Sequence, residues 1–248
     1  MNNEILVNIT PQETRVAILE QGVSQELHIE RESGRGIVGN IYNGRVSRVL
    51  PGMQSAFIDI GLDRAAFLHV ADIWSPNQEG ETTQPIEKLL YEGNSILVQV
   101  IKDAIGTKGA RLSTQISLAG RLLVYLPQES HIGISQRIGD DSERELLREK
   151  LQQILPADEK GGYIIRTMAE TADESDLRAD LDYLHKLWHD IQKKSMAIAA
   201  PVLLYQDLDL SHRVLRDFVN DDTERIWVDS RENFQKLVKF SQNYMTYI

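Results

Sequence analysis

Residues 53–71 read MQSAFIDIGLDRAAFLHVA, between GNIYNGRVSRVLP (39–51) and SILVQVIKDAIGTKGARLSTQIS (95–117). Apolar and polar residues alternate through these tracts, the mark of half-buried strands. The alternation predicts strands over 39–48, 53–60, 64–69, 95–102 and 109–116. A polar loop from Ser75 to Pro85 and a helical turn, IEKLLYEG (86–93), interrupt them. Five short strands over roughly eighty residues, with glycines at the bends, predict a small barrel of the OB type. Phe57, Phe67 and several cations fall on these short strands, a combination suited to stacking bases and holding phosphates.

The totals narrow the field. The chain has 248 residues, 27 Lys and Arg against 37 Asp and Glu, and no cysteine. A net charge of −10 argues against an indiscriminate nucleic-acid binder. The acid excess is uneven, however. Residues 35–120 balance eight basic against eight acidic side chains, whereas 121–210 hold eleven against seventeen. Without cysteine there is no disulfide framework and no thiolate zinc site. The N-terminus MNNEILVNIT lacks a basic-then-apolar leader, and no apolar run approaches the ~18 residues of a membrane span. These features lead us to expect a soluble, cytoplasmic protein.

Upstream of the barrel, residues 4–9, 13–20 and 23–30 alternate and are separated by Pro11-Gln12 and Gln21-Gly22, which predicts an antiparallel meander. Beyond residue 120 the period changes. GRLLVYLP and GGYIIRTMAE (161–170) read as strands, and DSERELLREKLQQIL (141–155) as a helix with acidic residues at its start. The tract 172–199 is a long amphipathic helix with Leu177, Leu181, Leu184 and Trp188 at spacings of three and four. PVLLYQD, LSHRVLRDFV, TERIWVD and SRENFQKLVKFSQNYM continue as strand, helix, strand and helix, with Ser230 as a cap for the last.

Long stretches of mixed composition carry a family resemblance. FIDIGLDRAAFLHVADI (57–73) is similar to RNA-binding OB domains. HIERESGRGIVGNIYNGRVSRVLPGMQSAFIDIG (28–61), VIKDAIGTKGARLSTQISLAGRLLVYLP (100–127), GISQRI (133–138), HRVLRDF (212–218) and RIWVDSR (225–231) resemble the N-terminal half of the ribonuclease E/G family, on its ribonuclease G side. The resemblance implies an α+β, multi-domain architecture. An OB-fold RNA-binding domain (37–119) and a 5′-sensor domain (120–210) would be inserted into a split ribonuclease H-like subdomain (1–36 and 211–248). It also implies that the deoxyribonuclease-I-like catalytic domain with its magnesium-binding aspartates, and a cysteine pair linking two chains through zinc, lie beyond Ile248. The expectation is therefore a chain without catalytic or metal-binding residues of its own, from a parent that is a homo-oligomer.

The resemblance places Phe57, Phe67 and Lys108 on the RNA-binding face. Burial statistics alone would put both phenylalanines in the core. Arg45, Arg48, Arg64 and Arg111 are further candidates for phosphate contact, each equally readable as a solvated charge. For a terminal phosphate, several donors must converge on its oxygens, and an arginine fork beside a hydroxyl meets that need. Arg166-Thr167 offers this pair. The resemblance carries 5′-phosphate binding onto Gly120, Val124, Arg137, Arg166 and Thr167, with Gly120 admitting a close backbone approach. Gln136 stands where some members of the family have a second arginine. His185 and His189, at i and i+4, have zinc-ligand spacing but neither the glutamate of HExxH nor a third ligand. Asp59 and Asp63 sit where a barrel turn needs polar residues. The expected function is the single-stranded-RNA-binding and 5′-monophosphate-sensing portion of a magnesium-dependent endoribonuclease; the alternative is a free-standing RNA-binding regulator.

Overall fold

The computed structural model describes residues 3–75, 84–220 and 222–245; the loop expected over Ser75–Pro85 lies largely outside them. In chain order the elements are β1 (Asn3–Ile9), β2 (Glu13–Glu20), β3 (Val23–Arg31), β4 (Ile41–Leu50), β5 (Ser55–Asp59), β6 (Ala66–His69), α1 (Ile86–Leu89), β7 (Ser95–Lys102), β8 (Arg111–Ser113), β9 (Leu118–Ala119), β10 (Leu123–Leu126) and β11 (Ile132–Ile134). They continue as α2 (Asp141–Ile154), β12 (Gly162–Ile165), α3 (Glu174–Ala197), β13 (Val202–Tyr205), α4 (Leu210–Phe218), β14 (Thr223–Val228) and α5 (Arg231–Tyr244). The chain is α+β, in two compact units: Met1–Gly36 with Leu208–Ile248, and Ile37–Asp207.

The first unit is a four-stranded sheet in the order β14-β1-β2-β3. The β1–β2–β3 meander is antiparallel as its alternation predicts. β14 joins β1 in parallel, Leu6 opposite Trp227. Ile5, Val7 and Val16 project from one face onto Leu210, Val214 and Leu215 of α4 and Leu237 of α5. Ser230 caps α5 by accepting a hydrogen bond from Asn233 N at 3.3 Å.

In the second unit β4, β5, β6, β8 and β7 pair in turn, and β7 returns to β4, closing a five-stranded barrel of OB type. Val46, Ala56, Ile58, Ala66, Leu68, Val98, Val100 and Leu112 fill its interior, with Ile86 of α1 packed on them. Removing such a core from water, at ~25 cal/mol per Å² of apolar area, is the main favourable term in the barrel's stability. Gly109 is required where the chain enters β8, because a Cβ there would overlap the Ala65 carbonyl. β13 adds to the outer side of β4, Tyr205 opposite Ile41, and Asp207 N donates to Asn40 Oδ1 at 2.8 Å.

The same unit contains a second sheet, β11-β12-β10-β9. Leu123, Tyr125, Tyr163 and Ile165 face the helical side, where Leu177, Leu181, Leu184 and Leu187 of α3 are also buried. A capping box starts α3: Asp173 accepts from Asp176 N at 2.9 Å, and Asp176 accepts from Asp173 N at 3.2 Å. Among the described residues no helix is long and apolar enough to cross a membrane.

Candidate functional site

Along β5 and β6, Ala56, Ile58, Ala66 and Leu68 are buried, whereas Phe57, Asp59, Phe67 and His69 are only partly covered. Both phenylalanines therefore stand on the outer face of the barrel. They are directly opposed across the strands, ring centroids 6.2 Å apart and tilted 66° edge-to-face. The register continues on either side. Arg48 lies opposite Phe57, Phe67 is level with Arg111, and Arg111 is opposite Lys102. The result is one row across five strands, Arg48–Phe57–Phe67–Arg111–Lys102, with two aromatic rings flanked by cations. Arg48 and Lys102 are exposed, and each follows an irregularity in its strand, between Val46 and Arg48 and between Val100 and Lys102. Such bulges turn a side chain that strict alternation would send inward toward solvent.

Lys108 is exposed in a short hairpin that pairs Ile105 with Lys108 and leads to Ala110, whose carbonyl accepts from Phe67 N at 2.7 Å. Arg64 ties this hairpin down through the Gly106 carbonyl. Of the other arginines, Arg45 is bonded to the Ala200 carbonyl, and Arg111 forms a two-pronged pair with Asp72 at 2.8 and 3.1 Å. Asp59 accepts from Gly61 N at 2.9 Å, which fixes the turn after β5. Arg48, Lys102 and Lys108 thus offer exposed charge beside the rings, while Arg45, Arg64 and Arg111 also brace the barrel.

The second cluster forms at one end of the four-stranded sheet. β11 and β12 run parallel and β10 antiparallel to them, so the exits of β11 and β12 and the entry to β10 lie at the same edge. Gly120 and Arg121 come from the entry to β10, Arg137 from the loop after β11, and Arg166 and Thr167 from the turn after β12. Ser135 N donates to Ile165 O and Arg166 N to Leu122 O, both at 2.8 Å, locking the three segments together. Val124 is half-buried and sits between Ala119 and Ile164 in neighbouring strands. The Arg166 guanidinium reaches over the β10 entry, bonded through Nη1 to the carbonyls of Gly120 and, at 3.2 Å, Arg121. Arg137 is exposed. Every residue expected at a terminal phosphate thus comes from this edge or the adjoining strand.

The glycine has a different immediate neighbour from the one its sequence reading invites. Asp180 of α3 is buried and accepts three backbone hydrogen bonds, from Arg121 N at 2.8 Å, Leu122 N at 2.9 Å and Leu123 N at 2.8 Å. A Cβ on Gly120 would lie 2.6 Å from Asp180 Oδ1 and 2.7 Å from its Cγ. The space a side chain would occupy at 120 is thus filled by an internal carboxylate. Asp180 escapes a reading by motif; its signal is a charge at 180 inside the apolar stripe Leu177, Leu181, Leu184.

His185 has a defined internal role. Its Nε2 lies 2.8 Å from Tyr163 Oη and 2.7 Å from Glu159 Oε2, and Tyr163 donates to Glu159 Oε2 at 2.9 Å. Burial, then the neighbouring Glu159 carboxylate, pushes the Tyr125 phenol up to about 12 and raises that of Tyr163 as well. His189 is exposed. Among the described residues no group of three or more His, Cys, Asp or Glu side chains is arranged to hold a metal ion.

Comparison with known proteins matches the sequence to a family. A family profile described as the Ribonuclease E/G family matches residues 117–248. Ribonuclease G of Escherichia coli strain K12 is 49% identical over 252 residues, covering 99% of this chain and 51% of that protein. Ribonuclease G of Haemophilus influenzae is 47% identical over 249 residues, covering 98% of this chain and 50% of its own length. Ribonuclease E of Nostoc sp. is 38% identical over 237 residues, 95% of this chain and 34% of that protein. The chain therefore spans about half the length of the ribonuclease G relatives it matches. It belongs to the ribonuclease E/G family.

Proposed function

We propose that this chain is the RNA-binding and 5′-monophosphate-sensing portion of a ribonuclease G-type endoribonuclease. The observation that carries the reading is the row Arg48–Phe57–Phe67–Arg111–Lys102 across the barrel face. Two rings offer stacking faces to successive bases while cations on either side follow the backbone. Lys108 adds charge beside Phe67. At the edge of the second sheet, Arg166, Thr167 and Arg137 surround the entry to β10, a set of donors suited to the dianionic oxygens of a terminal phosphate. Val124 packs against the terminal nucleotide.

In the same proposal the parent enzyme cuts single-stranded, A/U-rich RNA during ribosomal RNA maturation and RNA decay, in the cytoplasm. Magnesium at its catalytic aspartates supplies activation of water, and a zinc site joins its chains. Both groups are assigned to polypeptide outside this chain, whose part is to bind and orient the strand. Holding a remote 5′ end lets substrate binding energy favour cleavage elsewhere on the same RNA.

The test is titration of labelled single-stranded RNA ending in a 5′-phosphate or a 5′-hydroxyl, at several salt concentrations. Wild type should bind both with a negative salt slope and prefer the phosphate; Arg166→Ala should erase the preference and keep the slope. Equal wild-type affinity for the two ends would remove the sensing part, and indifference to salt would remove the RNA-binding part.

A further inference from the structure

We infer that Asp180 is the positioning residue of the 5′-phosphate pocket, an inference that rests on the sensing function proposed above. The entry to β10 turns three successive N–H groups, those of Arg121, Leu122 and Leu123, toward one point. Such a concavity of backbone donors is an anion site. Here the anion is internal: the Asp180 carboxylate, 5% exposed, occupies it from α3. With the N–H groups turned inward to Asp180, the carbonyls of Gly120 and Arg121 are turned the other way, and these two carbonyls hold Arg166 Nη1. One carboxylate thereby fixes the peptide planes that aim the phosphate-binding guanidinium. Gly120 acquires a reason independent of the ligand, since any Cβ there would intrude on Asp180 Oδ1 and Cγ. The conformation of 120–123 also sets the start of β10, and so the place of Val124, and Arg166 N bonds to Leu122 O within the same turn. Asp180 touches no RNA in this arrangement; it acts through residues 120–123 and Arg166.

The discriminating experiment measures the ratio of affinities for 5′-phosphate and 5′-hydroxyl RNA, with 5′-hydroxyl binding and a cooperative thermal melt as folding controls. Asp180→Asn keeps the shape and an acceptor oxygen but turns a donor toward an N–H. It should lower the ratio about tenfold, by leaving a buried donor unmatched and Arg166 misaimed, while barrel binding of 5′-hydroxyl RNA persists. A wild-type ratio of one would overturn the sensing function itself. A wild-type preference that survives unchanged in Asp180→Asn would overturn only the role of Asp180. Gly120→Ala, which presses on the same carboxylate, should reproduce the loss, and an unchanged ratio in this variant would overturn the inference even if Asp180→Asn does not fold. In an Asp180→Ala background, Gly120→Ala should add no further loss. A further loss there would mean that Gly120 meets the phosphate directly, and would overturn the inference.

Discussion

Truncation of Phe67 separates the outer face of the barrel from its interior most sharply. Phe67 and Leu68 are adjacent in β6, yet Phe67 is half-covered and in edge contact with Phe57, whereas Leu68 is fully buried. Phe67→Ala removes one stacking surface, worth roughly 1–3 kcal/mol per base. That corresponds to roughly 5- to 150-fold weaker binding of single-stranded RNA. The lost ring contact costs about 0.5–1.5 kcal/mol of folding stability, too little to unfold a domain stable by roughly 5–15 kcal/mol. Leu68→Ala should behave in the opposite way, losing about 2–5 kcal/mol of stability through the cavity it leaves, with unchanged affinity per folded molecule. Fluorescence anisotropy with a labelled oligonucleotide at fixed salt, read beside thermal melts, measures both quantities. Wild-type affinity in Phe67→Ala, together with weakened binding in folded Leu68→Ala, would refute the assignment of the aromatic face.

Three further outcomes follow from particular contacts. Burial raises the Asp209 carboxyl, but hydrogen bonds from His212 and Ser211 and the nearby imidazole outweigh it and hold the group far below the usual carboxylate range. Its stabilising share is full above the unfolded value near pH ~4 and disappears as pH falls toward the folded value; Asp209→Ala should lose about 0.5–2 kcal/mol at neutral pH as α4 loses its cap and should flatten the acid limb of a denaturation series. For Tyr125 and Tyr163 the sign reverses: a raised folded value means stability is intact below pH ~10 and falls as pH rises past it, so phenolate absorbance from this pair should emerge only with unfolding, and Tyr163→Phe with an unaltered alkaline limb would contradict the assignment. Gly109→Ala forces a methyl group against the Ala65 carbonyl and should cost about 1–3 kcal/mol while weakening RNA binding through displacement of Lys108; an unchanged melting temperature would show that the chain yields there without strain.

Much of this architecture was legible because hydrophobic spacing reports burial directly. In 53–71 the alternation marked the strands that bury Ala56, Ile58, Ala66 and Leu68, whereas the outward face of the equally apolar Phe57 and Phe67 was implied only by the family resemblance. The stripe on α3 and the serine before α5 were similarly plain. Lys102 was not, since SILVQVIK places it in phase with Val98 and Val100; a bulge, which leaves no mark in composition, turns it outward. The pairing of β13 with β4 and of β1 with β14 joins segments far apart in the chain, beyond the reach of local periodicity. Asp180 was visible as an anomaly, an acid within an apolar stripe, but its three partners belong to a turn whose direction only the tertiary structure supplies.

The meeting of Asn40 with Asp207 bears on the order in which this polypeptide matures. Strands β1 to β3 precede the barrel in the chain, yet their apolar face is covered by α4 and α5, which follow it. A flexible excursion of that length would add an entropic charge growing with the logarithm of its size. Because Ile37–Asp207 departs and returns at neighbouring points, its own folding draws the flanking segments together before they need each other. The barrel and its companion sheet thus act as a clasp: they ripen during synthesis, and the two halves of the split unit then meet with the kinetics of a short-range contact.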